Sequence, residues 1–335
     1  MATNLIKGPT MRLIQHLHPT IKQTFLLAVI PAISFNAMAG EKVDKTLTTS
    51  ASPIVEIEHV AGKATITGWD KNEVKVTGEL GDRTEAFIFE KKGDDVILKV
   101  ETNHRKIDWR DKNPGDGDDL TIFVPAKSGL SYTAVVADVE ASGLTNSVQF
   151  DVVNGDIDVS DLAGKVKLES VNGDIKLDNV SGLLQVETVN GNISGNHEGD
   201  KSTRIITVNG DIKLKTSSPD VQLESVNGDA KLELSEIEVL SLTTVNGDIT
   251  ASLTLAEKGD VDASSVGGTL HLKMQKGVSA RVEMQAHAGG DIVNRLTADK
   301  PSSAKYGPNE WLEFTANGGR ATIEMSTVHG ELIVE

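Results

Sequence analysis

The chain has 335 residues, a formal net charge of −16, 38% hydrophobic residues, 4% aromatics and no cysteine. That length allows one large domain or two modest ones, and the lack of cysteine excludes a disulfide framework, thiol chemistry and acylation of a lipoprotein cysteine. The acidic balance excludes nucleic acid and anionic lipid as electrostatic partners and leaves cations, cationic surfaces and neutral polymers.

The first segment reads as an export signal. Arg12 and Lys22 precede an apolar run from Thr24 to Phe35, and Ala37-Met38-Ala39 offers small residues to a peptidase. The run is too short to span a membrane, so residues 1–39 are expected to be a signal peptide cleaved before Gly40, leaving no transmembrane anchor. Cleavage removes Lys7, Arg12 and Lys22 and no carboxylate, taking the net charge from −16 to −19. An exported chain without disulfides must draw its stability from packing and backbone hydrogen bonds.

Residues 40–130 are expected to form an N-terminal β region or cap. They hold short alternating strand patterns such as Ile54-Val55-Glu56-Ile57 and Val74-Lys75-Val76-Thr77, and the strand Leu120–Pro125. Between the strand patterns and Leu120 lies a polar stretch whose Asp111, Asp116, Asp118 and Asp119 are calcium candidates, although Gly115 stands where an EF-hand loop has Asp or Asn.

Residues 131–255 carry a repeat. Asn154, Asn172, Asn190, Asn209, Asn227 and Asn246 recur at intervals of 18, 18, 19, 18 and 19 residues, mostly within the letters VNGDI. Both legs of each unit alternate apolar and polar residues, the strand period of two, and no helical period occurs there. Two architectures fit. Asn-Gly is a strong hairpin signal, but hairpin pairing would oppose Asp151 to Asp158 and leave a long meander with an uncovered apolar face. A stacked coil closes that face on itself, turning Ile175, Leu177, Leu184 and Val186 into a shared interior.

The expected fold is therefore all-β: a single-stranded parallel β-solenoid, right-handed β-helix-like, of about 18-residue coils with capping β segments. The asparagines would form a buried hydrogen-bonded ladder, since an amide donates to one rung and accepts from another. Ser170, Thr188, Thr207, Ser225 and Thr244 would form a parallel hydroxyl row. Gly155, Gly173, Gly191, Gly210, Gly228 and Gly247 would supply the backbone freedom of a tight corner. The repeated Asp156, Asp174, Asp211, Asp229 and Asp248 admit a calcium ladder, but only Asn-Gly-Asp of the known calcium-repeat motif is present, and they read better as solvated charges neutralised by Lys176, Lys213 and Lys231 two residues after an Asp. After residue 255 the period loosens, and 256–335 is expected to hold irregular coils and a cap.

Val60–Asp70, the LTIFVP strand, the VNGDI array and the closing STVHGELIVE together resemble a bacterial exported putative-adhesin β-strand-repeat family, related to the toastrack domains of envelope-stress systems. The resemblance implies a non-enzymatic, adhesin-like interaction scaffold in the periplasm or at the outer cell surface of a Gram-negative-type bacterium. Its partner would be an envelope protein or polysaccharide, and no catalytic residue and no cofactor, calcium apart, comes with it. The competing readings are an enzyme on envelope or extracellular polysaccharide and an envelope-stress sensor. The enzyme would need carboxylates converging beside Trp109 or Trp311. Phe150 is the one aromatic between 150 and 250, and the histidines show no metal-ligand spacing.

Overall fold

The computed structural model describes residues 40–102 and 117–335. The expected signal peptide, Trp109, Asp111 and Asp116 lie outside the described residues. Among the described residues the fold is all-β, with 24 strands and no helix. The alternation seen in the sequence sets which side chains enter the core. In the strand Ile175–Asn190, Ile175, Leu177, Val180, Leu184 and Val186 are buried while Lys176, Asp178 and Gln185 point outward.

The pairing decides between hairpin and stacked coil. A hairpin across Asn172-Gly173 would set Leu168 against Leu177. Instead Leu168 lies between Phe150 and Val186, and Leu177 between Val159 and Gly195, all in parallel register. Each repeat thus contributes one strand to each of two parallel rows. The first row stacks Val148–Asn154 on residues 166–172, 184–190, 203–209, 221–227 and 240–246. The second aligns Ile157, Ile175, Ile193, Ile212, Ala230 and Ile249, each at most 2% exposed. Between the rows the apolar side chains form one continuous core, which no single repeat could bury alone. The arrangement is β-solenoid-like.

Parallel pairing continues beyond the regular letters, from Ile54–Trp69 on Gly129–Ser142 at one end to Glu331–Val334 on Asp291–Asn294 at the other. It does not describe the whole chain. Lys42–Thr48 pairs antiparallel with Glu73–Glu79, which pairs antiparallel with Asp118–Pro125. Thr84–Lys92 lies antiparallel to Asp95–Thr102, and Ala280–Ala286 to Glu310–Ala316. A wholly parallel coil is thus corrected at both ends. Antiparallel neighbours need only a short turn, and charged strands such as Lys42–Thr48 blunt an edge that would otherwise recruit further strands.

Candidate functional site: the outer corner of the coils

Every rung turns from the first row to the second at the Asn-Gly-Asp letters, and two ladders meet there. The first is made of side-chain amides. Asn172 Nδ2 donates to Asn154 Oδ1 at 2.8 Å, and the pattern continues through Asn190, Asn209, Asn227 and Asn246 at 2.9, 2.9, 2.9 and 3.2 Å. These asparagines lie on the outside of the coil, Asn154 half-buried and the others exposed. The sequence gives no sign of that, since an amide ladder is equally at home in a core.

The second ladder joins side chain to backbone. Asp156 N donates to Asp138 Oδ1 at 3.0 Å, and Asp174 N to Asp156 Oδ1 at 2.8 Å. The same bond links Asn192, Asp211, Asp229, Asp248 and finally Thr269 to the rung before, at 2.7 to 2.9 Å. The aspartates therefore cap the amides of the next rung. Most of them stay exposed, and the capping of the next amide adds to the solvated charge expected of them. Asn192, standing where five other rungs have Asp, keeps the same acceptor and also donates Nδ2 to Asp174 Oδ1 at 3.2 Å. Lys176 pairs with Asp158 at 3.3 Å, and Asp156 and Asp174 add to the raising of its pKa.

Glycine is required here by close approach. A Cβ on Gly155, Gly173, Gly210, Gly228 or Gly247 would sit 2.0 to 2.3 Å from a carbonyl oxygen of the preceding rung, and each has φ between 120° and 157°. Gly191 has no such φ, yet its Cβ would come within 1.9 Å of Gly173 O. Contact with the rung below, more than backbone freedom, fixes glycine at every corner.

Inside the corner the hydroxyls of Ser170, Thr188, Thr207, Ser225 and Thr244 form a column at most 5% exposed, without a hydrogen-bond partner among the described residues. Outside it stands the valine before each Asn, exposed at Val153 (41%) and Val171 (39%) and half-buried at Val189, Val208, Val226 and Val245.

The first row's outer face carries paired charges. Lys167 bonds Glu169 at 2.7 Å and Arg204 bonds Glu224 at 3.0 Å. Asp151 and Glu169 are register neighbours. Partial burial, and then the hydrogen bond to Glu169, push Asp151 up to about 6. Burial pushes Glu169 the same way, but hydrogen bonds to Asp151 and Lys167 outweigh it and hold Glu169 below the usual range. The two carboxyls are coupled, the charge of one disfavouring ionisation of the other on the adjacent rung.

Two polar clusters lie elsewhere. Asp118 is 1% exposed; its Oδ1 accepts from Gly81 N at 2.8 Å and from the Thr84 hydroxyl, its Oδ2 lies 3.3 Å from His59 Nε2 without hydrogen-bond geometry, and His59 Nδ1 meets Tyr132 OH at 3.0 Å. Asp118 is thus a buried hub tying four segments together. Asp119 instead lines an open depression of about 590 Å³ with Gly40, Lys42 and Asp82. Among the described residues no group of three or more His, Asp or Glu is arranged to hold a metal. At the opposite corner of the coils, His197 Nε2 donates to Gly182 O at 3.0 Å, and Nδ1 accepts from Thr216 Oγ1 at 3.0 Å or Thr203 Oγ1 at 3.2 Å. Burial holds its pKa below the ordinary histidine value. No motif marked it.

A second depression, about 650 Å³, crosses the second row over Thr65, Ser142, Ser160, Ser194 and Gly195, where small side chains lower the surface. Trp311 is 48% exposed and stands opposite Gln285, one step along from the opposed pair Glu283 and Glu313. Those carboxylates lie exposed on an open sheet face.

Stacked rungs joined by amide and carboxylate ladders define an all-β, solenoid-like repeat protein. Residues 54–294 match the Toastrack DUF4097 family, and the chain belongs to it. Similar solved structures include a "putative adhesin" from Bacteroides fragilis NCTC 9343, 12% identical, covering 88% of this chain and 97% of that one at a TM-score of 0.37. Another is a "putative lipid binding protein" from Parabacteroides distasonis ATCC 8503, 13% identical, covering 71% and 96% at 0.43. A third is a "putative adhesin" from Parabacteroides merdae ATCC 43184, 13% identical, covering 71% and 93% at 0.31. No curated protein matches the chain. Among the described residues no helix is long and apolar enough to cross a membrane.

Proposed function

We propose that the chain is exported and acts as a non-enzymatic, adhesin-like scaffold in the periplasm or at the cell surface, with an envelope protein or polysaccharide as its partner. The observation that carries this reading is the way the array spends its polar groups. The corner asparagines and aspartates bond to the next rung, and the charges of the flat first row pair with neighbours. What remains outward is a long, regular surface suited to contact, with shallow depressions. The same reading takes the parallel rungs as one right-handed single-stranded solenoid, with 40–130 and 256–335 as its capping regions.

The test is capture from intact envelope with the purified chain starting at Gly40, together with fractionation of the cells and N-terminal sequencing of the product. Retention of a defined envelope component and an N-terminus at Gly40 are expected. A cytoplasmic product that retains Met1 would overturn the export reading. Release of reducing ends from envelope glycan, abolished by Glu313→Gln, would overturn the non-enzymatic one.

A further inference from the structure

The repeated valine is the letter of the motif that neither ladder uses. It stands beside the asparagines, rung after rung, from Val60 and Val135 to Val266 and Val328, exposed at Val153 and Val171 and half-buried at the others. A half-exposed strand position asks for β-branching, which threonine supplies as well while offering water a hydroxyl. In the six central copies the residue is valine every time. Three positions further along each rung stands the aspartate column. The corner therefore presents an apolar row and a carboxylate row, separated by amides already bonded to one another.

The spacing of these rows selects the shape of a partner. Three residues span about 10 Å at most, close to the 10–12 Å diameter of an α-helix with its side chains. Along the axis the rows repeat every 4.8 Å or about that, against a helical pitch of 5.4 Å, so four intervals accumulate a mismatch of only about 2.4 Å. An extended strand laid the same way presents like-facing side chains about every 6.7 Å and falls out of step by the second rung. Charge selects the chemistry. The aspartates add to a chain expected to carry −19 after signal cleavage. The lysines mask them only in part: Lys176 pairs with Asp158 while staying near enough to Asp156 and Asp174 for both to raise its pKa, and Lys231 lies 4.0 Å from Glu233.

We propose that this corner docks a cationic amphipathic α-helix. The apolar stripe of the helix lies along Val171, Val189, Val208 and Val226, and its basic residues lie over Asp211 and Asp229. Apolar contact supplies the fit, and the carboxylates supply attraction and orientation. The inference rests on the reading of the chain as an interaction scaffold.

The experiment uses the chain from Gly40 and a labelled helix-forming peptide of leucine and lysine, about 18 residues long so that it is helical when bound, with its leucines on one face. A scrambled peptide of the same composition is the control, and binding is read by fluorescence anisotropy at low and high salt. The amphipathic peptide is expected to bind at least tenfold more tightly than the scrambled one. Val189→Ser with Val208→Ser should cost about tenfold at both salt concentrations. Asp211→Asn with Asp229→Asn should weaken binding at low salt and flatten its salt dependence. Asparagine keeps the acceptor for the next amide, as Asn192 shows, and thermal melts check that each variant is folded. Equal affinity for the two peptides, or indifference to the valine substitutions, would overturn the proposal and leave plain polyanion attraction. Self-association without peptide, abolished by the same valine substitutions, would overturn it in favour of a second copy of the chain. Envelope capture tests the scaffold reading separately, so that reading can survive either result.

Discussion

The two corners of each coil are built on opposite principles. At the Asn-Gly-Asp corner the chemistry is the same on every rung, and each rung is fastened to the next through side chains. At the far corner it changes from coil to coil: Asn179 there bonds Asp161, His197 fills the next coil's turn, and Pro219 accepts from Glu238 and Val239. The register shows where the irregular period comes from. Ile175 and Ile193 are 18 residues apart, but their neighbours across the far corner, Leu184 and Thr203, are 19 apart. The later 19-residue unit gains its residue at the bulge between Glu233 and Glu236. Length is absorbed at one corner because the other has no slack. Letters repeat where neighbouring rungs must touch, and vary where the chain only has to turn.

The hardest blow to the fastened corner is Gly191→Ala, which drives a Cβ into Gly173 O. We expect a loss of about 3 kcal/mol or more in a denaturant melt, since backbone on both rungs must move. A loss below about 1 kcal/mol would mean that the rungs can separate freely.

The far corner should announce itself through pH. His197 is held below its ordinary value by burial, so the unfolded chain binds its proton more readily. Its contribution is present above about pH 6.5 and is lost as pH falls through the folded value, at up to about 1.4 kcal/mol per pH unit. His197→Gln should flatten that slope, and an unchanged slope would remove the histidine from the account.

Asp151 has the opposite sign. Its folded pKa is raised to about 6, so the native state holds the proton more tightly and stability falls as pH rises from about 4 to about 6. Asp151→Asn should remove that fall and gain about 1 kcal/mol at pH 7 after allowing for solvent screening. Melts of variant and wild type that run parallel across this window would remove the coupling between Asp151 and Glu169.

Asn192→Asp probes the carboxylate ladder more gently. It places like charges about 4.8 Å from Asp174 and Asp211, each contact costing about 0.9 kcal/mol at the dielectric of water. The loss should appear at low ionic strength and vanish in high salt. If low-millimolar calcium also restores stability, the row is a cation site. Smallest of all should be Asn209→Ala, at about 0.5 kcal/mol, because water replaces the partners of an exposed ladder. A loss of 2 kcal/mol would indicate that the amides act as a buried row.

What was legible in the sequence is what periodicity encodes. Ile175 and Lys176 alternate as inside and outside, the 18-residue interval predicts stacking, and the asparagines fall in one column. What was hidden depends on neighbours a full coil away. Whether Asn209 lies inside or outside depends on which way the corner bends. Whether Asp229 also caps a backbone amide depends on where Asp248 falls in the next rung. The antiparallel caps are short alternating strands whose letters look the same in either direction. His197 was invisible because its partners, Gly182, Thr203 and Thr216, come from three different turns.

Backbone pairing that runs along the axis also decides how the molecule carries force. A pull applied end to end loads the ladders in series, so the bonds of one rung open before those of the next and the coils peel away singly. Each released coil of 18 or 19 residues adds about 60 Å of extended chain. A tether of this kind yields stepwise and keeps holding on, lengthening at a nearly constant tension set by the fastening of a single corner.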